Sequence, residues 1–242
     1  MDSIRRYFFF GTMLALVAAL ARPAPGWARI VPYERMAPLS RYLMADRQAE
    51  INLAQSAAPP SISLHATVLV LGHRGYETAE SGTNGFTCLV ERSWMSPFDS
   101  PEFWNWKMRG PICYNPAASR TVLLYTLQRT KLVLSGLTKS QMLDRIKIAV
   151  ADKQLPPPEP GSMSYMMSKH GYLGDGVGAW MSHLMLYAPQ ADGAKDGASW
   201  GADSPTSPVI LNTSYRVVPE PETIFMVPVA RWSDRTPAPA GD

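Results

Sequence analysis

Cysteine and histidine are scarce in this chain, two and four residues of 242. Two isolated cysteines offer too few ligands for a structural metal site, so no metal is assigned. The Ser-x-x-Lys, His-Glu-x-x-His and P-loop signatures are absent. The run Gly171-Tyr-Leu-Gly-Asp-Gly-Val-Gly178 is glycine-rich but lacks G-x-G-x-x-G spacing. It reads as a flexible connection, and no cofactor is assigned. After Leu20 no apolar run approaches spanning length, which excludes a membrane span in the rest of the chain. Excess charge is lacking too. Setting aside residues 1–28 removes three Arg and one Asp, so the net charge falls from +3 to +1. A nucleic-acid partner thereby loses its main electrostatic argument.

What is present begins with an address. Arg5 and Arg6 precede the largely apolar stretch from Tyr7 to Leu20, and small-x-small sites follow at Ala19-Leu20-Ala21 and Gly26-Trp27-Ala28. This is the pattern of a secretory signal peptide. A stretch of fourteen residues rises only about 21 Å as a helix, short of a ~30 Å hydrocarbon core. The expectation is a leader over 1–28, one globular domain over 29–234 and a disordered tail over 235–242. The mature chain would be periplasmic or secreted. In an oxidising compartment Cys88 and Cys113 are expected to pair, closing a loop of about 25 residues. The alternative is two separate buried thiols, since Cys88 lies in the apolar run Phe86–Val90.

The spacing predicts a helix over Leu39–Gln55 with Ser40 as its cap, then strands at Ala66–Leu71, Tyr76–Glu80 and Phe86–Arg92. Asn84-Gly85 suits a tight hairpin, so the second and third strands are expected to pair antiparallel. Asn115-Pro116 opens a helix that Gly136 closes, and Thr138-x-x-Gln141 is a capping box for the next. Pro156-Pro157-Pro158 then makes a stiff connector. Strands return at about Met163–Ser168, Trp180–Ala188, Val209–Val217 and Thr223–Ala230, with a surface loop over 189–207. Strands in two blocks around helices predict an α+β domain: a mainly antiparallel sheet with helices packed on one face. Its order resembles that of PAS and Cache sensor domains.

Two groups of residues are candidates for a site. Residues 93–114 are dense in aromatics, and Trp94, Phe103, Trp104 and Trp106 could wall a cleft or simply pack. Met163, Tyr165 and Met167 alternate along one strand, and Met181, His183, Met185 and Tyr187 along another. If these strands share a face, thioethers, His183 and Tyr165 line it together, as soft ligands, as a pocket wall or as plain core. His73 and Arg74, between Gly72 and Gly75, suit either an anion contact or an ordinary turn. A hydrolase would need a serine beside the ring of His170 or His183. These features favour a domain that binds a small molecule or envelope partner under the aromatic loop, and lean away from an enzyme. The alternatives are a periplasmic hydrolase and a structural or interaction protein of the envelope.

The segments Asn84-Gly-Phe-Thr-Cys-Leu-Val-Glu-Arg-Ser-Trp94, Pro111-Ile-Cys-Tyr-Asn-Pro-Ala117, Pro160-Gly-Ser-Met-Ser-Tyr-Met-Met167 and Gly171-Tyr-Leu-Gly-Asp175 resemble a family of exported bacterial proteins to which no activity is assigned. The resemblance covers most of the chain from the first helix to Trp232-Ser233-Asp234. It implies a Gram-negative periplasmic setting and supplies no catalytic residues.

Overall fold

Two helical layers, of different extent, sandwich a mixed sheet. The computed structural model describes residues 33–175, 178, 181–190, 209–210 and 217–239. The expected leader and nearly all of the loop expected over 189–207 lie outside the described residues. Before the sheet comes a single 3-10 turn, Leu39–Arg41, followed by helix α1, Arg47–Gln55. The expected continuous helix from Leu39 therefore gives way to a bend. Asp46, not Ser40, caps α1, its Oδ1 accepting from Gln48 N at 2.9 Å and Ala49 N at 3.2 Å. The bend lets Tyr42 bury its ring and donate its hydroxyl proton to the Trp104 carbonyl at 2.9 Å. A one-turn helix α2, Pro60–Ser63, leads into the sheet.

Strands β1 (Thr67–Gly72) and β2 (Gly75–Glu80) form an antiparallel hairpin. Strand β3 (Thr87–Glu91) lies on the other side of β1 and runs parallel to it, with Thr67 opposite Thr87. The expected β2–β3 hairpin is thus corrected: Asn84-Gly85 is a turn, but it does not join paired strands. Asn84 Oδ1 accepts from Phe86 N at 3.0 Å, and its Nδ2 donates to Ile62 O at 2.8 Å. The connection crosses the start of β1 so closely that a Cβ on Gly82 would sit 2.2 Å from Thr67 N. Only glycine fits there.

Strand β4 (Gly110–Tyr114) pairs antiparallel with β3 and sets Cys113 opposite Cys88. The two form a disulfide with their Cα atoms 3.9 Å apart, as one of the two readings expected. Then come α3 (Pro116–Arg120), α4 (Leu123–Leu134) and α5 (Lys139–Ala151). Asn115 caps α3 through Ala118 N at 2.9 Å, and Thr138 with Gln141 completes the capping box of α5. The stretch read as one helix breaks at Thr121, which leaves helical geometry at φ −125° and ψ −70°. The proline connector marks no boundary: the Tyr125 hydroxyl donates to Pro156 O, and Arg120 pairs with Glu159 at 2.6 Å.

Strands β5 (Met163–Met166), β6 (His183–Pro189), β7 (Val209–Ile210) and β8 (Glu222–Pro228) complete an eight-stranded sheet in the order β2-β1-β3-β4-β5-β6-β8-β7. All neighbours but β1 and β3 are antiparallel. The architecture is α+β, as predicted. Alternation along the strands sorts the core into two layers. Leu89, Ile112 and Tyr114 face α4, α5 and the aromatic segment, the helical cover expected on one face. Val68, Val70, Cys88, Val90 and Cys113 pack on Ile51 and Ala54 of α1, which adds a second cover on the opposite face.

That second cover stops at β4. Strand β6 lies between two neighbours, yet buries only His183, Met185 and Tyr187, while Leu186 stays 44% exposed. The near-apolar sequence of β6 suggests burial on both faces, and the short span of α1 explains the difference. Past Asp234 the chain is tied down as far as Ala238: Arg231 bridges Pro237, and Ala238 N donates to Ala230 O at 2.9 Å.

Candidate functional site

A cleft of about 420 Å³ opens between the start of α1 and the β1–β2 hairpin. Its size lies within the range of small-molecule sites. Leu43, Met44 and Ala45 form one wall, and Val70, Leu71 and Gly72 the other. His73 and Glu77 of the hairpin, with Ser40 and Arg47, complete the lining. Arg47 Nη1 meets Glu77 Oε1 at 2.6 Å, with the two side chains 51% and 56% exposed.

The unusual member of the lining is Glu50. It lies one position before Ile51 on the inward side of α1 and is only 2% exposed. A buried carboxylate needs a counter-charge and hydrogen-bond donors. Glu50 Oε1 accepts from Leu71 N at 3.1 Å and from Arg92 Nη2 at 2.8 Å. Arg92 follows β3 and is wholly buried. Its Nε donates to Tyr42 O at 2.7 Å and its Nη1 to Val90 O. One guanidinium therefore joins the bend before α1, α1 itself and β3 beneath the cleft.

Further charge sits behind this pair. Arg109 is pushed down to about 10, by burial first and then by Arg92. Its Nη1 donates to Met108 O at 2.7 Å and Trp106 O at 2.9 Å. Burial also pushes the Tyr76 phenol well above its ordinary range, and its hydroxyl donates to Val90 O at 2.7 Å.

The six expected site residues are not brought together. Trp94, Phe103 and Trp104 are packed in the core, the second of the two readings open for them, and do not wall an open cleft. The Trp94 ring lies 5.1 Å from Tyr42, and its indole N–H donates to Thr130 Oγ1 at 3.0 Å. Phe103 and Trp104 meet edge-on at 4.7 Å. Trp106 is half-buried, with the Arg41 guanidinium 3.7 Å above its ring. The aromatic stretch supports the cleft from behind, through Tyr42, because large hydrophobic rings gain most by leaving water.

The methionine face dissolves for a reason of register. Ser164 lies opposite Met185 and Met166 opposite His183, so Met163 and Tyr165 point away from His183, Met185 and Tyr187. Tyr165 packs near Phe86, 6.3 Å away, on the α1 side of the sheet. His183 is buried, with Nδ1 2.9 Å from Met181 O, and desolvation lowers its pKa. Among the described residues no cluster of three His, Cys, Asp or Glu side chains is arranged to hold a metal ion. The serine link at His170 runs through its backbone N–H, which donates to Ser168 Oγ at 3.1 Å.

A second polar network lies on the α4 side of the sheet. Tyr114 and Thr126 donate to Glu91 Oε1 at 2.5 and 2.9 Å. Tyr187 and Ser164 share a hydrogen bond of 2.8 Å. Burial raises the pKa of Glu91, and raises that of Glu222 well above the carboxylate range, with Glu220 adding to the latter. Arg129 grips Glu220 through two bonds of 2.7 Å and donates to the carbonyls of Trp94 and Ser96. Arg129, Glu220, Thr126, Tyr114, Ser164 and Tyr187 of this network are buried, while Glu91 and Glu222 are partly exposed.

Reading the sequence missed Glu50 and Arg92, because a charge on an amphipathic helix is ordinarily solvated. Arg92 carried a faint signal, a charge directly after an apolar strand. Also missed was Gly197-Ala-Ser-Trp-Gly201, which has the G-x-S-x-G spacing of a nucleophile elbow and lies outside the described residues. Compared with known proteins, the chain matches no protein-family model, no curated protein and no solved structure.

Proposed function

We propose that the chain is an exported domain that binds a small molecule in the cleft between α1 and the β1–β2 hairpin. The observation that carries this reading is the 420 Å³ cleft with a buried, pre-positioned carboxylate, Glu50, in its lining. Apolar walls with a few fixed polar groups are the usual make-up of such sites. Export is supported by the Cys88–Cys113 disulfide, which suits an oxidising compartment. No helix among the described residues is long and apolar enough to cross a membrane. The periplasmic setting rests on the sequence pattern of residues 1–28 and on the family resemblance.

A thermal-shift screen of the purified protein against a metabolite library tests the cleft. A binding compound is expected to raise Tm in the native protein and in Trp106→Ala, and to lose its effect in Leu43→Trp, which fills the cleft. Binding that survives Leu43→Trp, or a library without a hit, overturns the reading. The hydrolase alternative rests on the spacing of Gly197–Gly201 alone. Turnover of a p-nitrophenyl ester that Ser199→Ala abolishes would favour it.

A further inference from the structure

From the charges lining the cleft we infer that its ligand class is a compact organic amine: an ammonium on a short apolar body. The inference rests on the cleft being the ligand site. Both hydrogen bonds to Glu50 fall on Oε1, from Leu71 N and Arg92 Nη2. A carboxylate has about four acceptor positions across its two oxygens, so capacity remains for a third donor. Glu50 is 2% exposed and belongs to the lining, so the cleft is the side from which a third donor can reach it.

Arg92 is not a competing site for an anion. Its Nε, Nη1 and Nη2 all donate to oxygens, and it does not line the cleft. The second carboxylate, Glu77, stands across the opening on β2. The lining guanidinium, Arg47, is held by Glu77 Oε1 at 2.6 Å. A ligand thus meets two carboxylates, Glu50 held by Arg92 and Glu77 held by Arg47, with His73 beside them in the lining. An incoming anion would find the guanidinium donors of Arg92 and Arg47 already engaged by Glu50 and Glu77, whereas an ammonium finds acceptor oxygens on both carboxylates. Leu43, Met44, Ala45, Val70 and Leu71 leave an apolar surround for a body of a few carbons.

The test is calorimetric titration of the purified protein with three probes of one shape: n-hexylamine, n-hexanol and n-hexanoate. Hexylamine is expected to bind, hexanol about ten-fold more weakly or worse, as expected when a hydrogen bond to a charged group is weakened, and hexanoate not at all. Glu77→Gln, at an exposed position, should weaken hexylamine about three-fold, the scale of an exposed ion pair, without changing the unfolding midpoint appreciably. Hexanol or hexanoate binding as tightly as hexylamine, and blocked by Leu43→Trp, overturns the amine assignment while leaving the cleft as a ligand site. Hexylamine affinity unchanged in Glu77→Gln also overturns it. If none of the three probes binds, the amine assignment falls, and the library screen decides separately whether the cleft is a site.

Discussion

The Arg92 guanidinium meets the Glu50 carboxylate at 2.8 Å, with side-chain exposures of 0% and 2%. The residues are 42 positions apart in the chain, and neither is solvated without the other. A buried pair of this kind adds little over an apolar pair of equal volume, but breaking it leaves an uncompensated charge. Arg92→Met should therefore destabilise the fold by about 3–5 kcal/mol. The double variant Glu50→Leu with Arg92→Met should recover part of that loss, since the Tyr42 and Val90 carbonyls and the Leu71 N–H still lose these partners. Urea unfolding of the singles and the double gives the coupling; a double variant no more stable than Arg92→Met would refute this account.

The disulfide spans 25 residues and encloses the aromatic stretch. In the chain-entropy model its removal costs about 3–4 kcal/mol. Thiol titration of oxidised, denatured protein should find no reactive thiol. Cys88→Ala with Cys113→Ala should lower stability by the stated amount in denaturant titration.

Burial raises the pKa of both Glu91 and Glu222, so folding favours their protonated forms. Their contribution is fully present below the ordinary carboxylate pKa of 4.5 and is lost as pH rises through the raised folded values. Glu222→Gln, neutral at every pH, should gain stability relative to the native protein as pH rises from 5 to 8. Paired unfolding curves across that range measure the difference, and parallel curves would count against the buried acid.

His183 behaves in the opposite sense. Desolvation depresses its pKa, so its contribution is present above 6.5 and lost as pH falls through the folded value. The imidazole resonances should report a ring less than half charged at pH 6.5, where an unperturbed histidine is half charged. A ring half charged at that pH would contradict the buried placement.

Two glycines separate close approach from backbone conformation. Gly82→Ala would drive a Cβ to 2.2 Å from Thr67 N, and is expected to cost ~3 kcal/mol or more. Gly136 has φ +74°, but a methyl group added there would meet nothing within 4 Å, so Gly136→Ala should cost only ~1–2 kcal/mol. Equal losses in the two variants would remove the evidence for the β1 crossing.

What proved legible in the sequence was local. The Asn115 cap, the Thr138–Gln141 box and the strands at Met163 and Thr67 are fixed by neighbours a few residues away. The α+β class followed from their order. Pairing was less legible, because the Asn84-Gly85 turn has the same dihedral preferences whether or not its flanking strands meet. The face shared by His183 and Tyr165 depended on a register that alternation alone leaves open by one residue. The cleft was illegible for a stronger reason: Glu50 reads as a solvated helix charge until Arg92 is brought beneath it by the whole sheet.

Because Arg92 also holds the carbonyls of Tyr42 and Val90, the cleft has no independent hinge at its base. Its shape is inherited from the interior, like a socket cast in one piece with the body around it. A ligand entering such a socket meets groups already oriented and loses little affinity to ordering them. Sequence drift in the hydrophobic interior, around Trp94 and Tyr42, would then surface as altered selectivity at a cleft whose lining includes neither residue.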